Sequence, residues 1–204
     1  MNEGYRDILN SIGSSRPTPG GGSVAALSLA HAHSLATMVS RLTLKSDKWS
    51  DGHEIANLIV QQSVDRIDDS ISLAERDAAA FDAVMAAYRL PKDDDSNIRS
   101  DSIRQATIGA ALTPLEILRA SHLLLNDLLK LSHHCNANAL TDLAASAELA
   151  HSAAKIAQMN VKINTQYISG NDVDSIDHDT EIVIGKCDEK MLHLRSIYTE
   201  RLGW

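Results

Sequence analysis

The chain has 204 residues, 44% of them hydrophobic, a single Phe and a formal net charge of −8. That length supports one sizeable core built from Ala, Leu, Ile and Val, so a single all-α domain over residues 1–204 is the economical reading. The negative charge opposes nucleic acid and anionic membranes, while two cysteines without CxxC or CxxxC spacing exclude a cysteine zinc cage and fit a reducing, cytoplasmic compartment.

The N-terminal residues show no basic flank followed by an apolar run, so no signal peptide is expected. The first informative stretch is Pro17-Thr18-Pro19-Gly20-Gly21-Gly22-Ser23. Two prolines stiffen the approach, three glycines strip the turn of side chains, and Ser23 is placed to cap a following helix. Backbone N–H groups at a positive helix end would then face something polar or anionic; an ordinary glycine-rich turn is the alternative. Residues 24–40 carry no formal charge, but their apolar content is largely Ala, interrupted by Ser, Thr and His. That composition predicts a helix buried on most sides rather than a membrane span, with small residues that let neighbouring backbones approach closely.

After a polar break at residues 46–52, apolar residues recur at helical spacing from Ile55 to Tyr88, which predicts one long amphipathic helix ending near Leu90-Pro91. Asp93-Asp94-Asp95 reads as a solvated acidic loop. Helical spacing resumes at Ile98, and Thr113-Pro114-Leu115-Glu116 has the form of a capping box with proline at the first helical position, predicting a restart or kink. A Leu-rich run to Leu131, a polar link over 133–138, an Ala-rich helix over 140–166, an acidic turn region over 170–179 and a last amphipathic helix over 180–202 follow. No alternating run demands a sheet.

Few constellations carry chemistry. Glu148 and His151 form a single Glu-x-x-His pair, whereas a carboxylate-bridged di-metal bundle needs two. His31 and His33 point about 200° apart on a helix and cannot clasp one metal; one suits a core and the other a site. Asp172-Val173-Asp174 lacks the remainder of a calcium loop, and no metal is assigned. What remains is Asn136, Asn138 and Asp142 near a helix start, and Asn160 and Asn164 one turn apart on one face. Asparagine is a poor interior helix residue, so paired asparagines suggest a polar partner, with capping and solvent exposure as the alternatives.

Taken together, Pro17 to Leu27 with Leu42-Thr43, Asp77-Ala78-Ala79-Ala80-Phe81-Asp82 with Leu90-Pro91-Lys92, Ala106-Thr107-Ile108-Gly109-Ala110 with Pro114-Leu115-Glu116, Asn136-Ala137-Asn138-Ala139-Leu140-Thr141-Asp142 and Asn160-Val161-Lys162-Ile163-Asn164 resemble the cyclodeaminase/cyclohydrolase family of folate one-carbon metabolism. The resemblance implies a helical, homodimeric domain that binds a tetrahydrofolate, plain or polyglutamylated, needs no further cofactor, and has a formiminotransferase as candidate partner. It implies 5-formiminotetrahydrofolate cyclodeaminase first and 5,10-methenyltetrahydrofolate cyclohydrolase second; a non-catalytic dimer that binds folate or a partner protein is the alternative from another class. Such chemistry needs a base, an acid and rigid positioning. The expected acid/base carboxylate is Asp142, then Asp82, then Asp77. Expected substrate contacts are Gly20, Gly21, Gly22 and Ser23 through backbone N–H groups, Lys92 through its charge, and Asn136, Asn138, Asn160 and Asn164 through their amides. The chain departs from the family pattern at Lys45-Ser46, where Gly-Lys is typical, and at Cys135 and Ala144, where glycine is usual.

Overall fold

A computed structural model describes residues 3–92 and 97–204 of the protein; the Asp93-Asp94-Asp95 loop lies outside the described residues. The described residues form helices α1 (Glu3–Ile12), α2 (Gly21–Thr43), α3 (His53–Tyr88), α4 (Ile98–Ser132), α5 (Leu140–Thr165) and α6 (Asn171–Leu202), with no strand among them. The all-α, single-bundle expectation holds.

Small residues place α2 at the centre. Ala25, Ala26, Ala32 and Ala36 are fully buried, and without bulky side chains there the helix packs closely against α3 and α5 and touches α4. Helix α4 in turn packs on α3, α5 and α6, and Leu115, Leu118, Leu125 and Leu128 fill the space between them. By length and composition α4 is the one described helix able to cross a membrane, yet more than half of its most apolar window is buried in this bundle.

The structure adds one element and alters three local expectations. Residues 3–12 form α1, whose sequence signal is the spacing of Tyr5, Ile8, Leu9 and Ile12. The break after α2 contains a 3-10 helix, Asp47–Gly52, started by the Ser46 side chain accepting the Lys48 N–H. The region read as an acidic turn is already helical from Asn171, because Asp172 and Asp174 sit in the first turn, where the helix dipole favours carboxylates, and Arg104 ties Asp172 to α4. Finally, α4 runs unbroken through Pro114. Proline has no N–H for the carbonyl four residues back, yet the Ala110 carbonyl is not orphaned: the Asn164 Nδ2 of α5 donates to it at 2.9 Å.

Candidate functional site

The start of α2 opens into a cleft of about 320 Å³ between the Pro17–Gly20 approach, α3, α4 and α5. Gly20 rather than Ser23 is the residue preceding the helix, and no side chain caps it. Ser23 lies inside the first turn instead. Its hydroxyl donates to the Ala74 carbonyl at 2.9 Å and to the Asp77 carboxylate at 3.1 Å, and its backbone N–H bonds the same carboxylate. The capping role expected of Ser23 is therefore filled from α3, where Asp77 satisfies one of the donors that a helix start leaves open.

Gly22 makes this approach possible: a Cβ there would stand 2.1 Å from Asp77 Oδ1. Burial pushes the Asp77 carboxyl above the usual aspartate range, with the two Ser23 bonds pulling the other way. The negative group at this helix end thus belongs to the protein. The Gly21 and Gly22 N–H groups remain beside it as donors for a carbonyl or developing oxyanion.

Opposite stand Asn160 and Asn164. Asn160 Nδ2 donates to the Ile156 carbonyl at 2.9 Å, and Asn164 Nδ2 to the carbonyls of Ala110 and Asn160 at 2.9 and 2.8 Å. Asn164 Nδ2 thus spends both of its N–H groups on backbone, whereas Asn160 Nδ2 keeps one N–H, and both Oδ1 atoms are left as acceptors. Phe81, Val84 and Ile163 supply apolar walls. The combination of apolar walls, a carboxylate of raised pKa and the Gly21 and Gly22 backbone N–H groups suits a partly apolar molecule undergoing proton transfer.

Of the residues singled out from sequence, Gly20, Gly21, Gly22, Asp77, Asn160 and Asn164 line this cleft and Ser23 backs it. Asp82 is exposed, five positions beyond Asp77 and so about 140° further round α3. Lys92 is exposed past the end of α3. Asn136, Asn138 and Asp142 gather at the opposite end of α2: the Asn136 N–H donates to Thr43 Oγ1 at 3.0 Å, its Nδ2 to the Leu42 carbonyl, and its Oδ1 accepts the Asn138 N–H. Asp142 stands 18 residues before Asn160 on α5, about 27 Å along the helix axis. Phe81 and Ala110 are lining residues that sequence reasoning did not assign to the site. The first follows Asp77 at i+4, and the second is the carbonyl that Pro114 frees. Glu148 and His151 pair with Arg195 and Asp188 of α6.

The fold and cleft define an all-helical protein with a polar-floored cleft at the start of its central helix. Residues 4–178 match the sequence pattern of the formiminotransferase-cyclodeaminase family. Over 167 residues the chain is 30% identical to a methenyltetrahydrofolate cyclohydrolase of Methylorubrum extorquens, covering 81% of this chain and 80% of that protein. It is 26% identical over 164 residues to the formimidoyltransferase-cyclodeaminase of Gallus gallus, covering 79% of this chain but only 30% of the longer chicken protein. A formiminotetrahydrofolate cyclodeaminase structure from Thermotoga maritima superimposes with a TM-score of 0.88 at 26% identity, covering 98% of this chain and 96% of that one. The chain belongs to the formiminotransferase-cyclodeaminase family of folate one-carbon enzymes.

Proposed function

We propose that the Asp77 cleft binds a reduced folate and opens the one-carbon bridge between its N5 and N10, converting 5,10-methenyltetrahydrofolate to 10-formyltetrahydrofolate. The observation that carries this reading is the half-buried Asp77 carboxylate at the α2 start, beside two open N–H donors. The likeness over matched lengths to a cyclohydrolase supports the hydrolytic direction. Water adds to the bridging carbon as Asp77 takes its proton, and the Gly21 and Gly22 amides stabilise the oxygen as charge develops on it. The protonated carboxyl then delivers its proton to N5 as the carbon–N5 bond breaks, leaving the formyl group on N10, with one proton released overall.

A second reading is favoured by the Thermotoga structure. In the cyclodeaminase direction, N10 of 5-formiminotetrahydrofolate attacks the carbon of the protonated formimino group, Asp77 relays the N10 proton to the departing nitrogen, and the carbon–nitrogen bond breaks to release ammonia and leave the 5,10-methenyl cation. A formiminotransferase would be the partner supplying that substrate. In either direction a second copy of the chain is proposed to close the cleft, because Phe81 and Ile163 on its walls are 39% and 57% exposed.

The test is to assay both substrates with the native protein and with Asp77→Asn. Turnover of methenyltetrahydrofolate, followed by loss of its ultraviolet absorption, should fall about 10²-fold or more in the variant while tetrahydrofolate binding persists. Ammonia release from the formimino compound in place of hydrolysis selects the second reading. Undiminished turnover by Asp77→Asn removes Asp77 from the chemistry, and turnover of neither substrate removes the enzymatic reading.

A further inference from the structure

Away from the cleft, α2, α3 and α4 enclose a groove of about 350 Å³, adjoined by a pocket of about 30 Å³. Both are lined by His33, Arg66, Ala120 and Leu123. The groove shares no lining residue with the glycine-rich cleft, and although its Arg76 end adjoins Asp77 in sequence, His33 lies 12 residues along α2 from Gly21, about 18 Å.

His33 is only 8% exposed, and neither ring nitrogen has a hydrogen-bond partner among the described residues. His31, two positions earlier and exposed, has both of its ring nitrogens engaged, by the Leu27 carbonyl at 2.7 Å and Tyr5 Oη at 3.4 Å. No side-chain nitrogen or oxygen among the described residues is sealed from solvent without a partner, so the unbonded edge of the His33 ring opens on the groove, where a bound acceptor could take its N–H. Half-buried Arg66 likewise forms no ion pair among the described residues, although Arg76 and Arg119 on the same rim are held by Glu116 and Asp179. Carboxylates are present too, and they are largely committed. Glu116 is engaged by both terminal nitrogens of Arg76, and Asp127 faces Lys130 at 3.8 Å. Asp69, exposed on the outer edge, is the remaining acid. Burial and the Arg66 charge lower the His33 pKa to about 4, which keeps the ring neutral.

We propose that this groove is an oxyanion site in which the Arg66 guanidinium and the His33 ring N–H bind a carboxylate or phosphate group. The guanidinium fork offers two parallel donors to such a group, and the imidazole adds a third from the buried side. An anion seated there would offset the Arg66 charge, so binding should draw the His33 ring toward protonation.

The experiment is a titration of the full chain with inorganic phosphate and, separately, with glutamate, following the His33 ring resonances by NMR. Saturable shifts of those resonances, with the ring pKa climbing toward its ordinary value, are expected. A response to phosphate alone assigns a phosphate ligand, and a response to glutamate assigns a carboxylate. Arg66→Gln should weaken binding about tenfold or more, and Arg66→Lys by less, since lysine keeps the charge without the fork. Resonances unmoved by both anions, or an Arg66→Gln protein that binds as well as the native one, would overturn the proposal. Matching unfolding midpoints for the variants keep the comparison on binding.

Discussion

Asp77 and His33 show how burial assigns opposite tasks to two titratable side chains. Asp77 is bound by Ser23 and keeps one face on the cleft, so its raised pKa suits proton transfer. His33 has no bond to offset its burial, and its cost appears as lost stability in acid. Its folded pKa of about 4 lies below the ordinary 6.5, so as the pH falls the unfolded chain takes up the proton first. Stability is therefore lost between pH 6.5 and 4 and no further below, by about 3 kcal/mol for a shift of this size. Urea unfolding in phosphate-free buffer should show that slope in the native protein, and His33→Gln should flatten it. A slope that survives the substitution would assign the acid sensitivity elsewhere.

At the level of elements, Pro114 and Asn164 explain each other. The proline frees the Ala110 carbonyl inside α4, and the bond that satisfies it fixes Asn164 on the cleft wall. Asn164→Leu should cost about 1–3 kcal/mol by leaving that carbonyl unpaired. In a Pro114→Ala background residue 114 regains an N–H for Ala110, so the cost should shrink by about 1 kcal/mol, a coupling that a double-mutant cycle from urea unfolding measures. Strictly additive costs would mean that the carbonyl never depended on Asn164. This pairing also marks where sequence reading stops. The proline and the paired asparagines were each legible as local oddities, one as a helix restart and the other as a call for a polar partner. Their meeting across 50 residues of chain was not, because it depends on how α4 and α5 lie against one another. The same holds for Ser23: its position before an apolar helix looks like a cap, and only the packing of α3 on α2 reveals a carboxylate there instead.

For the whole molecule, the apolar spacing of α3 to α5 and the small-residue composition of α2 were enough to read an all-helical bundle, because each pattern is local to its helix. Which of three aspartates faces the glycine turn was not readable, since that depends on α3 crossing α2 between Ser23 and Asp77. The exposed Phe81 and Ile163 at the cleft bear on assembly: sedimentation of the intact chain should report twice the 22.1 kDa monomer mass, and a monomer at working concentrations would leave the cleft open to water. One feature of α2 limits how that cleft can respond. Asp77 grips the helix at Ser23 while Asn136 grips it at Leu42 and Thr43, so it is a strut pinned at both tips and resists sliding along its axis. An incoming molecule therefore meets a rigid anvil, and whatever adjustment it needs must come from the proline-glycine approach or the aromatic lip of Phe81.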